Sequence, residues 1–282
     1  MKILIIGATG NAGSNAIQSL RIKGIRPTAA VRNIEKAKAK LGNDIDYVHF
    51  DYLDSSTYES ALRGVDRLFF IAPPPKKDPA IVRELMKAVK KEGVKFILFQ
   101  SGRTSGTYKG KPLYQIEEDL RNSDQNICII RPAWYMQNFH TWTGTTLEDN
   151  EICLPTNQAK VSMVSLKDLG AAIAEILTTD GHGGKAYNIT GGEALDHGRV
   201  ADILSGAMGK PIKFTNPNPE TYAKRMIEKG WTEYAAKHSN WLFMRVREGS
   251  EEAVSADFQN LLGRNPISFA EFAKEEFGLI PH

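Results

Sequence analysis

The sequence predicts an α/β fold: a doubly wound parallel sheet followed by a smaller, mostly helical C-terminal lobe. Three observations carry this expectation. A short apolar run, Ile3-Leu4-Ile5-Ile6, meets glycines at Gly7, Gly10 and Gly13. Strand-like and helix-like segments then alternate regularly as far as residue 132, and beyond it the pattern loosens and turns helix-rich. Strands alternating with helices at this pace imply βαβ units, whose crossovers are right-handed and whose strands pair in parallel.

The elements follow in order. The opening run is short, wholly apolar and cut by a glycine, as a strand buried on both faces should be. Its helix continues from Asn15 to Lys23 and stops at Gly24, after which Arg26 to Val31 reads as the second strand. A helix at Ile34 to Leu41, a strand at Asp46 to Phe50, a helix at Ser56 to Leu62 and a strand at Arg67 to Ile71 come next. The rhythm repeats with helix Ala80 to Glu92, strand Lys95 to Gln100, helix Leu113 to Asn122 and strand Asn126 to Arg131. Past residue 132, strand-like Val161 to Val164 precedes a helix at Leu166 to Leu177 and a strand at Ala186 to Thr190. Helical patterns close the chain at Val200 to Met208, Pro219 to Lys229, Glu233 to Val246 and Ser268 to Phe277.

The three glycines stand between a strand and a helix. Glycine lets backbone N–H groups approach an anion closely, and a helix start aims unpaired amides and its positive dipole end at the same place. The spacing G-x-x-G-x-x-G in this context reads as a cradle for a dinucleotide pyrophosphate, which makes the sheet Rossmann-type. Ligands then bind beyond the carboxyl ends of the strands. The second strand ends at Arg32, where the adenosine ribose should lie. A chain preferring NAD places Asp or Glu there, roughly 20 residues after the glycines. Here the position is basic, and Glu35 comes too late to serve. Arg32, with Lys36 one helical turn on, can make charge-assisted bonds to a 2′-phosphate, so NADP(H) is expected ahead of NAD(H). Asp51, past the third strand, is a candidate for the adenine amino group and equally a cap for the turn at Tyr52-Leu53-Asp54. Ala72-Pro73-Pro74-Pro75, past the fourth, offers small, stiff backbone to lie along ribose and diphosphate, or simply stiffens a loop.

On this reading residues 1–132 form the NAD(P)-binding core and residues 133–282 the substrate-pocket and C-terminal lobe. Strands around 161–164 and 186–190 are expected to return to the core. The 282 residues suffice for such a core with an appendage. With 36 basic and 33 acidic residues spread along the chain, the charge excess is no nucleic-acid footprint. Cys128 and Cys153 sit in apolar settings without metal or redox spacing, and the six histidines form no metal pattern, so no metal is expected. No apolar run approaches the roughly 18 residues of a membrane helix, and no signal-peptide core follows Lys2, so a cytoplasmic protein is expected. Gly-x-Ser-x-Gly is absent, which argues against a serine hydrolase.

The fifth strand ends at Gln100-Ser101-Gly102, where short-chain dehydrogenases/reductases carry a catalytic hydroxyl, and the order of elements resembles that family. Its tyrosine acts as general acid, with a lysine four residues later lowering the phenol pKa. The matching helix here reads Tyr114-Gln115-Ile116-Glu117-Glu118, with Glu118 in the lysine's place. A carboxylate raises the pKa of a nearby phenol, so the Tyr/Lys mechanism does not carry over. That departure resembles the NmrA-like branch of atypical members, which includes quinone and triphenylmethane-dye reductases and NADP-sensing regulators. Further matching stretches are Gly7-Ala8-Thr9-Gly10-x-x-Gly13, Val31-Arg32-Asn33, Arg131-Pro132-Ala133-x-x-Met136-Gln137-Asn138-Phe139, Val164-x-x-x-Asp168 and Gly263-Arg264-x-Pro266-x-Ser268-Phe269-x-x-Phe272.

The resemblance maps cofactor contacts onto Gly7, Thr9, Gly10, Asn11, Ala12, Gly13, Arg32, Asp51 and Ala72, to which the strand-end reading adds Lys36, Pro73 and Ser101. It implies that the segment after the sixth strand lines the nicotinamide pocket, putting Pro132, Trp134, Met136, Asn138 and Phe139 beside the substrate. Aromatics spaced like Trp134, Tyr135, Phe139 and Trp142 are nevertheless more often core than pocket. The first functional expectation is therefore an NADP-dependent oxidoreductase delivering hydride to a small, flat, electron-poor acceptor such as a quinone. Tyr114 and Asn138 are its candidate proton donors. The competing expectation is a non-catalytic NAD(P)(H) sensor acting through a regulatory protein partner. An epimerase or dehydratase stands third, since those reactions use the same missing Tyr/Lys pair. Oligomeric state is left open, a homodimer included.

Overall fold

The computed structural model describes residues 1–73, 78–140, 147 and 149–278. Pro74, Pro75 and Trp142 lie outside the described residues. The chain runs β1 (Ile3–Ile6), α1 (Asn11–Ile22), β2 (Thr28–Val31), α2 (Ile34–Leu41), β3 (Asp46–His49), α3 (Ser56–Leu62), β4 (Arg67–Ile71) and α4 (Pro79–Lys91). It continues through β5 (Phe96–Gln100), α5 (Arg103–Thr107), α6 (Pro112–Arg121), β6 (Ile127–Pro132), a 3₁₀ turn (Met136–His140), β7 (Glu151–Cys153), β8 (Lys160–Val161) and α7 (Leu166–Thr178). The remainder is β9 (Ala186–Ile189), β10 (Leu195–Asp196), α8 (His197–Met208), β11 (Lys213–Thr215), α9 (Pro219–Glu228), α10 (Glu233–Arg247), α11 (Asp257–Leu262) and α12 (Phe269–Phe277).

Two compact units share these elements. The first comprises Met1–Pro132, Leu166–Ile189 and Asp257–Arg264; the second comprises Ala133–Ser165, Thr190–Ala256 and Asn265–His282. In the first, seven parallel strands lie in the order β3-β2-β1-β4-β5-β6-β9. β1, β2 and β5 are buried along their whole length, which is why they read as unbroken apolar or small-residue runs. Edge strand β3 exposes both its ends. A parallel seventh strand needs a crossover, and α7 provides it, packing on α1 so closely that a Cβ on Gly170 would stand 2.5 Å from the Asn15 carbonyl oxygen. The chain therefore re-enters the first unit after residue 165 and again after 256.

The expectation for residues 161–164 is corrected. Lys160–Val161 does not join the main sheet but pairs antiparallel with β10. The next residue is turned away by hydrogen bonds, because the Ser162 hydroxyl donates to the carbonyls of Glu251 and Ala253 at 3.0 and 3.1 Å. The second unit is otherwise helical, with β7 and β11 paired in parallel and a core that includes Met136, Phe139, Leu204, Tyr222, Phe243, Phe269 and Phe272.

Candidate dinucleotide-binding site

Strand order reverses between β1 and β4, and the glycine loop leaves β1 at that point. Gly7 adopts φ +83°, which a side chain would strain, and it lies beside Ile71 at the end of β4. The Gly10 amide donates to the Gly7 carbonyl at 3.0 Å, closing the loop, and Ser14 donates to the Gly10 carbonyl at 2.9 Å to begin α1. A Cβ on Gly13 would stand 2.3 Å from the Gly7 carbonyl oxygen, so only glycine lets the helix press this close. Gly10 is the N-cap and provides no side-chain cap, leaving the first-turn amides of Asn11, Ala12 and Gly13 without the partner a Ser or Asp cap would give. Thr9, Gly10 and Asn11 are exposed around this turn. Orphan amides at a strand-order reversal fit a pyrophosphate.

At the end of β2, Arg32 is exposed, and Lys36 is exposed on α2. The Asn33 side chain caps α2 by accepting from the Lys36 amide at 2.8 Å, which fixes the helix start. Glu35, the acid in this stretch, pairs with Lys38 at 2.9 Å and so leaves Lys36 alone. Lys40, one turn beyond Lys36, donates to the Thr9 carbonyl at 2.9 Å. Sequence reasoning missed Lys40, although the repeat Arg32, Lys36, Lys40 at four-residue spacing would have found it. Asp51 takes the turn-capping role, with Oδ1 accepting from the Leu53 amide at 3.0 Å. The Tyr52 hydroxyl donates to the Ile71 carbonyl at 2.5 Å, tying this turn to the end of β4, and burial pushes that phenol well up so that it stays neutral. Ala72 and Pro73 are buried directly beyond it.

Farther along the sheet, Ser101 is buried and its amide donates to the Ile130 carbonyl at 2.9 Å, while its hydroxyl has no hydrogen-bond partner. On α6 Tyr114 is half-buried and Glu118 exposed, whereas Glu117 is 2% exposed. Arg131 Nε donates to Glu117 Oε1 at 2.9 Å, and Arg121 reaches its other oxygen at 3.2 Å. The inward carboxylate of this helix is thus Glu117, not Glu118, and two guanidiniums hold it. Pro132 is buried at the end of β6, in register with Ile189.

The remaining pocket candidates belong to the second unit. Met136 and Phe139 are 2% and 3% exposed, Phe139 packing edge-on to Phe269 at 5.5 Å, which is the core alternative for this aromatic group. Trp134 is half-buried against Phe243 at 5.4 Å, and Asn138 is half-exposed, its amide donating to the Tyr135 carbonyl at 3.0 Å. A cavity of about 460 Å³ opens elsewhere in the first unit, lined by Asp66, Arg67, Phe96, Asn126 and His182. Arg67 is spent there on Asp180 and the Thr179 carbonyl, and Asp66 on Lys95 and the Lys2 amide. No helix among the described residues is long and apolar enough to cross a membrane.

Comparison with known proteins agrees with this fold. The chain is 29% identical over 283 residues to quinone oxidoreductase 2 of Escherichia coli strain K12, covering 98% of this chain and 99% of that one. It is 28% identical over 276 residues to an NAD(P)H azoreductase of Xenophilus azovorans, covering 96% of each. The crystal structure of an NADPH-dependent quinone oxidoreductase from Escherichia coli complexed with NADPH superposes with a TM-score of 0.89 at 27% identity, covering 98% of this chain and 100% of that one. The model of the NmrA-like family matches residues 1–273, and the chain belongs to that family.

Proposed function

We propose that this protein is an NADP(H)-dependent oxidoreductase that reduces a small, flat, electron-poor acceptor such as a quinone. The observation that carries the reading is the uncapped start of α1 at the β1–β4 reversal, with Arg32 and Lys36 exposed at the neighbouring strand end. The relatives with quinone and azo acceptors support the acceptor class. When bound, the coenzyme supplies the hydride. The chain's own part is to hold and orient. Amides of Asn11, Ala12 and Gly13 take the pyrophosphate, Thr9 and Gly10 leave it room, Arg32 and Lys36 take the 2′-phosphate, and Ala72 and Pro73 give flat backbone beside the ribose. Ser101 and Pro132, at the ends of β5 and β6, border the other half of the coenzyme. Tyr114 is the proton donor available on α6. An acceptor that leaves as a stabilised phenolate asks little of a donor, so positioning suffices where a Tyr/Lys pair is lacking.

The test is stopped-flow NADPH oxidation against quinones, azo compounds and cationic dyes, beside calorimetry of NADPH and NADH on wild type and Arg32→Ala. Turnover is expected with at least one acceptor class, and the variant should lose about tenfold or more for NADPH and little for NADH. Tight NADPH binding with no turnover on any acceptor would replace the enzyme by a coenzyme sensor.

A further inference from the structure

The peptide joining Thr9 to Gly10 is held at both ends. Its N–H, on Gly10, donates to the Gly7 carbonyl at 3.0 Å, and its C=O, on Thr9, accepts from the Lys40 ammonium at 2.9 Å. A trans peptide is planar with these two groups pointing oppositely, so the two bonds together fix one plane. Neighbouring carbonyls are held locally: that of Gly10 accepts from the Ser14 amide at 2.9 Å, and that of Asn11 from Asn15 Nδ2 at 2.8 Å. The Thr9 carbonyl is instead held from α2, across 31 residues of sequence.

Beyond these two hydrogen bonds, the peptide's own torsions resist turning over very little. A flip changes only ψ of Thr9 and φ of Gly10, and glycine accepts φ of either sign. Turned over, the peptide would set the Thr9 oxygen against the Gly7 carbonyl and break the bond that closes the cradle loop. Lys40 is free to do this work because the acids nearest it in sequence, Asp44 and Glu35, are paired with Arg21 and Lys38.

We propose that Lys40 is a positioning residue for the coenzyme cradle, holding the Thr9–Gly10 peptide in the orientation that binds a pyrophosphate. The proposal rests on the reading of this loop as a dinucleotide site. Since it acts on the part common to both coenzymes, Lys40 serves NADPH and NADH alike, unlike Arg32.

Calorimetry of NADPH and NADH on wild type, Lys40→Met and Lys40→Arg tests it. Methionine keeps the aliphatic stem and removes the donor. The expected result is a loss of about threefold to tenfold, equal for the two coenzymes, with most of it restored by arginine and the melting temperature unchanged. A loss confined to NADPH would overturn the proposal and make Lys40 a ligand of the 2′-phosphate; no loss for either coenzyme would overturn it as well. A wild-type protein that binds neither coenzyme would instead overturn the dinucleotide reading itself, so the two failures are told apart.

Discussion

At Gly13 one added carbon atom would disturb the glycine loop itself. Its Cβ would meet the Gly7 carbonyl oxygen at 2.3 Å, and that contact is backbone against backbone, which no rotamer change relieves. Gly13→Ala should therefore push α1 away from the loop, costing about 1–3 kcal/mol of stability in urea titration and at least tenfold in NADPH affinity. A fully stable variant with normal affinity would refute the close-packing account. The loop glycines were legible in the sequence because their conformation and close packing depend on residue type and spacing alone, and Arg32 was legible as the basic residue that ends β2. The roles of Asp51 and Glu118 were not. Which hydrogen bonds Asp51 makes is a matter of side-chain direction, and its Oδ1 accepts from the Leu53 amide of its own turn. Of the adjacent carboxylates Glu117 and Glu118, only helical phase says which is inward, and the buried set Leu113, Ile116, Glu117 and Leu120 answers it.

Among the elements, those inside the regular strand–helix alternation were readable: α2, α3 and β4 match the expected boundaries residue for residue. The pieces missed are short. α5, α11, β7, β10 and β11 span two to six residues each, too few for a period of either kind to show. α8 holds a group whose behaviour no sequence pattern revealed. His197, 1% exposed at the start of this helix, hydrogen-bonds Thr156 Oγ1 at 3.1 Å and packs between Phe139 and Phe214. Burial pushes its pKa from 6.5 down to about 4, with Asp196 opposing the shift weakly. The unfolded chain thus takes up a proton below pH 6.5 that the folded one refuses until about pH 4, and stability falls across that window as pH falls. At about 1.4 kcal/mol per unit, the loss between pH 7.5 and 5 should be about 2 kcal/mol from this group. His182, its pKa also lowered by burial, adds in the same direction. Urea midpoints of wild type and His197→Gln at the two pH values check this: the variant should lose most of the dependence, and an unchanged dependence would show that His197 is not its source.

For the molecule as a whole, the telling feature is how the chain completes its first unit with residues far beyond the nucleotide-binding half. The segment Asp257–Arg264 returns to that unit: the Asp257 carboxylate accepts the Asn188 amide of β9 at 2.7 Å, Phe258 is fully buried, and Arg264 pairs with Asp168 of α7 at 2.7 Å while lying over the Phe258 ring at 4.8 Å. Asp168 and Arg264 come from two separated motifs of the family resemblance, and their meeting gives both a structural reason to be there. A division at residue 132 was the natural expectation from an alternation that stops there, because nothing local in the later sequence marks a segment as belonging to an earlier sheet. Asp168 has no exposed surface, so removing the Arg264 guanidinium takes a charge partner from a carboxylate that water cannot reach. Arg264→Ala should cost about 2 kcal/mol in urea titration and leave the NADPH affinity of the folded protein unchanged, since neither residue lies in the glycine loop or at Arg32. The opposite result, unchanged stability with weakened NADPH binding, would mean that the returning segment acts on the coenzyme site instead of closing the unit that carries it.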